Sequence, residues 1–371
     1  MKYYLIAGEA SGDLHASNLM KGIRQYDSDA EFRFFGGDLM AMIGGEPVKH
    51  YKKMAFMGFW EVVKNLKQIS KNLKHCKNDI IEYNPDAVIL VDYPGFNLRI
   101  AKFAKQAGFK VFYYIAPKVW AWRESRVKLL KKYVDHLMVI FPFEVEFFKK
   151  HGIDVIFEGN PLIDALKQEE KEQKDFRKDN QLSEKPIIAL LAGSRKQEIS
   201  YNLPIMTSLS KHFEDYQYVI AGAPSLSASI YEPYIENTNI KIVYNQTHDL
   251  LRNSTLATVT SGTATLEAAL LNIPEVVCYK GSTISMLIAW AVIKIKFISL
   301  VNLIMKREVV KELIQYKLNR SSLLQEVRSL LPGEPKREVM LNDFKELKRA
   351  LGTEGASVRF AESVVSLTKR S

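Results

Sequence analysis

Cysteine is nearly missing: Cys76 and Cys278 are the only two in 371 residues. That excludes a disulfide framework and fits a reducing compartment. The seven histidines are scattered, and no cysteine–histidine cluster has zinc spacing. A signal peptide is not expected either. Met1–Ala7 is short, breaks at Gly8-Glu9, and has no basic n-region or long apolar h-region. No long apolar run is free of charge. The best candidate, Ile284–Met305, carries Lys294 and Lys296 in its middle. Either lysine at a bilayer centre would cost roughly 2.5–3.5 kcal/mol. A buried or membrane-touching helix is therefore expected there, followed by a strand or loop. The Gly-x-Gly-x-x-Gly pattern is missing after both Leu5 and Leu190, which weighs against a dinucleotide oxidoreductase.

What is present describes an ordinary globular chain, 47% hydrophobic and 25% charged, long enough for two domains. The net charge is +10. A basic surface suits nucleic acid, an anionic membrane or phosphorylated substrates, and does not choose among them.

Short apolar runs alternate with helical patterns along the chain. Lys2–Ala7, Glu31–Phe35, Ala87–Val91, Val111–Ile115, His136–Phe141 and Val155–Phe157 read as strands of a first half. A charged polar run from Lys167 to Glu184 marks a boundary. The pattern then restarts with Pro186–Leu191, Tyr218–Ala221, Ile240–Val243, Leu256–Thr260 and Val276–Tyr279. This predicts an α/β chain of two tandem halves with parallel sheets covered on both faces. The expected layout is 1–166 for the first domain, 167–184 for the linker, 185–337 for the second domain and 338–371 for C-terminal helices. A crossing of those helices back to the first domain is left open. Phe344, Leu347, Leu351, Phe360, Val364, Val365 and Leu367 mark their apolar faces.

Several stretches carry chemistry. In Leu256–Asn272, a strand meets Ser261-Gly262-Thr263 and a helix starts at once. The free N–H groups and positive dipole at that helix end welcome a phosphate. Glu267, one turn in, is placed to accept hydrogen bonds from paired sugar hydroxyls. The plainer reading makes Ser261 or Thr263 an N-cap and Glu267 a first-turn acid. Gly8-Glu9-Ala10-Ser11-Gly12-Asp13 is a glycine turn after the first strand, and its acids favour an uncharged, hydroxyl-rich ligand. Asp92 stands just past the end of Ala87–Val91, where α/β sheets bind ligands, with Asn97 as the expected cap of the next helix. Trp120, Trp122 and Arg123 can stack on a ring or hold a phosphate, or serve as core anchors. Ala192-Gly193-Ser194-Arg195 repeats the glycine turn in the second half, with Arg195 beside a helix N-terminus as a pyrophosphate ligand or a plain surface arginine. Met54, Phe56, Met57, Phe59 and Trp60, flanked by lysines, have the composition of an interfacial segment or of a core-packing loop.

Seven motifs occur in one order: AGEASGD at Ala7–Asp13, VDYPGFN at Val91–Asn97, PKVWAWR at Pro117–Arg123, FPFE at Phe141–Glu144, AGSRKQE at Ala192–Glu198, SGTATLE at Ser261–Glu267 and SLVNLI at Ser299–Ile304. In this order the chain strongly resembles the lipid-A-disaccharide synthase family, from about Lys2 to Lys311. The resemblance implies a GT-B fold, two Rossmann-like domains with parallel sheets facing across a cleft. It implies an inverting glycosyltransferase that moves 2,3-diacylglucosamine from its UDP derivative to the 6-hydroxyl of 2,3-diacylglucosamine 1-phosphate. No cofactor or metal requirement comes with it, and no D-x-D cation site is expected anywhere in the sequence.

By that resemblance Asp92 is the general base and Arg195 steadies the leaving pyrophosphate. Ser194, Arg195, Ser261, Gly262, Thr263, Glu267 and Asn302 form the UDP-donor set. Glu9, Ser11, Gly12, Trp122 and Arg123 line the acceptor side. Met54, Phe56, Met57, Phe59 and Trp60 would touch acyl chains or an anionic inner-membrane surface, giving a cytoplasmic, peripherally bound protein with no nucleic-acid partner. A homodimer is left open. Two departures are Gly95, where some members carry an acid, and Ala-Gly before Ser194 where Pro-Gly is commoner. The rival readings are another GT-B enzyme on a UDP-sugar (a UDP-GlcNAc epimerase or a lipid-linked GlcNAc transferase) and a non-enzymatic module for anionic membranes or nucleic acid.

Overall fold

The computed structural model describes residues 1–54, 65–122, 124–170, 175–236, 238–282 and 296–369. Two compact units result: Met1–Ala165 with Leu351–Ser371, and Leu166–Ala350. The division falls inside the Pro161–Glu170 helix.

The first unit holds a seven-stranded sheet, all parallel, in the order β3-β2-β1-β4-β5-β6-β7. Its strands are β1 (Lys2–Ala7), β2 (Glu31–Gly36), β3 (Glu46–His50), β4 (Ala87–Val91), β5 (Lys110–Tyr114), β6 (His136–Val139) and β7 (Val155–Phe157). All of β4 is buried, as expected of a continuous apolar run covered by helices on both faces. One face packs Tyr4, Ile6, Val88, Leu90 and Tyr113 against residues such as Ile100, Ala101 and Ala104 of the Pro94–Gln106 helix. The other packs Leu5, Ala7, Ile89 and Tyr114 against Leu19 and Ile23 of the Ala10–Tyr26 helix, and against Phe360 and Val364 of the Ala356–Lys369 helix.

That last helix is fastened in several ways. Phe360 meets Tyr114 edge-on with ring centroids 5.1 Å apart. Asp164 accepts the Gly355 and Ser357 amides at 2.7 and 2.8 Å, where the helix begins. Gly22 permits the close approach, since a Cβ there would stand 2.7 Å from the Ala361 Cβ.

The second unit holds a six-stranded parallel sheet in the order β10-β9-β8-β11-β12-β13. Here β8 is Ile187–Leu191, β9 Gln217–Gly222, β10 Lys241–Tyr244, β11 Ser254–Thr260, β12 Glu275–Tyr279 and β13 Lys311–Ile314. In each sheet the chain leaves the first strand to one side and returns on the other, so β1 lies beside β4 and β8 beside β11. Those two points are the topological switch points, and α/β sheets bind ligands outside the carboxyl ends of such strands.

Sequence reading missed β3 and β13. Both are edge strands, short and largely polar, and Pro47 in β3 is tolerated only where no neighbour needs its missing N–H. Of Ile284–Met305, residues 284–295 lie outside the described residues; Leu300–Met305 is a short, mostly buried helix. Among the described residues no helix is long and apolar enough to cross a membrane.

Candidate functional site

In the first unit the switch point brings together the carboxyl ends of β1 and β4. Past Val91 the backbone turns through two left-handed residues, Asp92 (φ +44°) and Tyr93 (φ +47°). Ile115, at the end of neighbouring β5, is left-handed too (φ +61°). A β-branched residue seldom adopts that conformation, and such strain, of order 1–3 kcal/mol per residue, clusters at functional sites. The surroundings hold it. Asp92 N–H donates to the Tyr114 carbonyl at 3.1 Å, and the Tyr113 hydroxyl donates to the Asp92 carbonyl at 2.6 Å. The Asn97 amide donates to the carbonyls of Asp92, Val91 and Ile6 at 2.8, 3.2 and 3.3 Å. Asn97 is thus not the expected cap. The Pro94–Gln106 helix opens with Pro94 at its first position after Tyr93, and Asn97 sits one turn inside, tying strand ends together. Gly8 is required here, because a Cβ would lie 2.2 Å from the Tyr93 ring.

Burial raises the Asp92 carboxyl to about 6; nearby Glu9 adds to the rise, while Lys118 and the Tyr93 amide oppose it. Glu9 is the partly buried N-cap residue of the Ala10–Tyr26 helix, Ser11 is exposed and Gly12 is buried against Ala7. Asp13 does not face an incoming ligand as expected. It is buried, and its carboxylate accepts the amides of Gly37, Leu39 and Met40 at 2.7, 3.1 and 3.2 Å. The chain does contain one Asp-x-Asp, Asp27-Ser28-Asp29, but it lies at the amino ends of the strands, where Asp27 accepts the Tyr3 hydroxyl at 3.1 Å.

Two groups that sequence reading gave no role flank this site. Glu144, fully buried, accepts Trp120 Nε1 at 3.0 Å and the amides of Ile140 and Phe141 at 3.2 and 3.1 Å. Burial pushes it up to about 7 against those hydrogen bonds and Lys118. The FPFE and PKVWAWR segments are therefore locked to each other, with exposed Lys118 close enough to act on both acids. Trp122 closes the short Val119–Trp122 helix. Arg123, Phe56, Met57, Phe59 and Trp60 lie outside the described residues. Met54 is corrected: it is 1% exposed within the core cluster, so its side chain has no free surface to offer acyl chains or a bilayer.

In the second unit the switch point joins the ends of β8 and β11. Gly193 (φ +108°) turns the chain after β8, and a Cβ there would meet Glu198 Oε2 at 2.5 Å. That oxygen accepts the Ser194 and Arg195 amides at 3.1 and 3.3 Å, so this helix end already has its anion. The Arg195 guanidinium is 74% exposed and only loosely paired with Glu198, at 3.3 Å. Across the switch, Gly262 (φ +157°) precedes the Thr263–Leu270 helix, which has no side-chain cap. The plainer reading, a cap at Ser261 or Thr263, is therefore not met. Ser261 Oγ instead donates to the Ile298 carbonyl at 2.8 Å. Among the described residues a Cβ on Gly262 would meet nothing within 4 Å, so with respect to them open space lies before the helix's first N–H groups, which have no partner within the helix. Glu267, one turn in, pairs with His248 Nε2 at 3.2 Å.

Asn302 is also corrected as a direct ligand. It is fully buried, and its Oδ1 accepts the Val309 and Val310 amides at 2.7 and 3.0 Å. Its Nδ2 donates to the Val310 carbonyl and Glu312, both at 2.9 Å, which exhausts the amide's capacity. Glu312 in turn accepts the Ile298 and Ser299 amides, and Ile298 receives Ser261. Asn302 therefore shapes the Ser261 turn from behind. His248 was missed because a lone histidine in NQTHDLL carries no motif; only the fold brings it to Glu267.

Comparison with known proteins now bears on the chain as a whole. Its residues 3–361 match a family model described as lipid-A-disaccharide synthetase. The lipid-A-disaccharide synthase of Myxococcus xanthus is 36% identical over 98% of this chain and 96% of its own. That of Trichlorobacter lovleyi is 34% identical over 99% and 97%. Among solved structures, a putative UDP-N-acetylglucosamine 2-epimerase from Listeria monocytogenes aligns with TM-score 0.70 at 15% identity, covering 100% of this chain and 97% of that one. The calicheamicin glycosyltransferase CalG4 aligns with TM-score 0.62 at 14% identity, over 99% and 98%. Identities this low speak for the fold alone, which is the GT-B arrangement of two parallel-sheet α/β domains. The family match and the near-full-length relatives go further: this chain belongs to the lipid-A-disaccharide synthase family, glycosyltransferases of lipid A biosynthesis.

Proposed function

We propose that the chain transfers 2,3-diacylglucosamine from its UDP derivative to the 6-hydroxyl of 2,3-diacylglucosamine 1-phosphate, with inversion, releasing UDP. The observation that carries this reading is Asp92, a strained, half-buried strand-end carboxyl whose proton affinity is raised to about 6. It is ionised at neutral pH yet more basic than an ordinary carboxylate, which suits a general base. It takes the proton of the acceptor hydroxyl as that oxygen attacks the anomeric carbon and the bond to UDP breaks. Inversion follows from a single displacement from the face opposite UDP.

Negative charge grows on the departing pyrophosphate. The exposed Arg195 guanidinium and the free N–H groups beyond Gly262 are the donors that would meet it. The Ser194 and Arg195 amides contribute little, being bound to Glu198. Glu267 accepts the ribose hydroxyls. Glu9 and Ser11 line the acceptor side of Asp92, with buried Gly12 behind them against Ala7. The enzyme works at the cytoplasmic surface of the inner membrane, held peripherally by the apolar, lysine-flanked segment that includes Phe59 and Trp60.

The first test is UDP release from UDP-2,3-diacylglucosamine in detergent with EDTA, with and without 2,3-diacylglucosamine 1-phosphate. Release that requires the acceptor is expected. Consumption of UDP-GlcNAc alone would replace this reading with an epimerase. For the membrane, protein carrying Phe59→Ser and Trp60→Ser should float poorly with anionic vesicles; flotation equal to the parent would remove that segment from the contact.

A further inference from the structure

We propose that His248 is a positioning residue of the donor site, holding the Glu267 carboxylate in the orientation that meets the ribose diol. The inference rests on the proposed ribose role of Glu267 and adds the group that controls it.

The geometry is specific. His248 lies on the Thr247–Arg252 helix and is largely buried, at 18% exposed. Its two ring nitrogens face two carboxylates on two other helices. Nε2 meets Glu267 Oε2 at 3.2 Å, and Nδ1 meets Glu169 Oε2 at 2.5 Å, at the end of the Pro161–Glu170 helix. One turn on, Arg252 donates to the Leu166 carbonyl and pairs with Asp249 at 3.3 Å, so the histidine's helix is itself fixed. An imidazole held from both sides cannot rotate without breaking one contact. It therefore fixes one Glu267 oxygen and leaves the other for an incoming ligand.

Charge supports the same picture. Burial alone would lower the imidazole's proton affinity, but the hydrogen bonds and charges of Glu169 and Glu267 raise it to about 9. Both nitrogens then donate, so the Glu267 oxygen facing Nε2 is held as an acceptor and the other is left to the ribose hydroxyls. An exposed carboxylate alone would reach the ribose from many rotamers. A clamped one has already lost that freedom.

The test is ribose selectivity in the intact protein near pH 7. Dissociation constants for UDP and 2′-deoxy-UDP are measured by calorimetry for the parent, Glu267→Gln, His248→Ala and the double variant. A hydrogen bond to a charged group predicts a parent preference for UDP of about tenfold or more. His248→Ala should bring that preference below about threefold, and the double variant should lose no more than Glu267→Gln alone. A His248→Ala protein that keeps the parental preference while Glu267→Gln loses it overturns the positioning role and leaves the Glu267 reading standing. A parent without preference, or a Glu267→Gln protein that retains it, overturns the ribose reading and this inference with it. Should His248→Ala fail to fold, Glu169→Gln releases the far side of the ring and is read by the same ratio. A purely structural histidine would shift both affinities together and leave the ratio unchanged.

Discussion

At the scale of single residues, two acids, half-buried Asp92 and buried Glu275, are set to opposite purposes. Asp92 is raised to about 6 and is needed ionised, so Asp92→Asn should lower kcat by about 10²–10⁴-fold. In the parent, kcat/KM should fall with acid through a limb near pH 6, and residual activity of the variant should lack that limb. Near-normal turnover by Asp92→Asn would end its role as base. Glu275 opens β12 fully buried, and neither carboxylate oxygen finds a partner among the described residues. Burial, then the charges of Glu267 and Glu312, push its proton affinity well above the ordinary carboxylate range. The folded chain therefore keeps a proton that the unfolded chain releases as pH rises past about 4.3. Stability should decline with rising pH above that point, and only until the folded group itself ionises. Glu275→Met, similar in volume, should remove this slope and gain stability by roughly 1–3 kcal/mol, seen in urea unfolding at two pH values. An unchanged slope would show that Glu275 has a partner after all.

At the scale of elements, the turns between strand and helix carry the chemistry. The Ser261-Gly262-Thr263 turn works only because Gly262 accepts φ +157° and, among the described residues, leaves open space before the helix. Gly262→Ala has room for its methyl but not the backbone freedom, and should cost about 1–3 kcal/mol of stability or distort the turn. UDP affinity should fall in the same variant, measured by calorimetry; affinity equal to the parent would mean that these amides do not meet the pyrophosphate. Much of this element was legible in advance. The β-branched run, the glycine and the helical pattern follow one another within a dozen residues, and local sterics suffice to read them. The plainer reading, a cap at Ser261 or Thr263, is not met because the Ser261 hydroxyl has a better partner, the Ile298 carbonyl, 37 residues away. Asn97 and Asn302 were misjudged for the same reason: carbonyls and amides from other segments outcompete the local or ligand contact that the motif suggests.

At the scale of the whole molecule, the chain's end completes its beginning. The Ala356–Lys369 helix belongs to the first unit and covers one face of its sheet through fully buried Phe360. Phe360→Ala should destabilise that unit by about 3–5 kcal/mol, read as a lowered Tm in calorimetry. A loss under about 1 kcal/mol would mean that the helix contributes little to the fold.

The sequence by itself determined the alternation of apolar runs and helices, the two sheet-bearing halves, and the strand-end places of Asp92 and Ser261. These follow from short-range periodicity and turn chemistry, which each segment carries alone. Only the tertiary structure decided which strands became neighbours, and hence that β1 meets β4 and β8 meets β11 at the switch points. It also decided that His248 reaches Glu267, that Asn302 spends its amide on the backbone, and that burial lifts Asp92 toward neutrality. Pairing between distant segments and the desolvation of a carboxyl depend on what surrounds a residue in space, and no window of the chain contains that information.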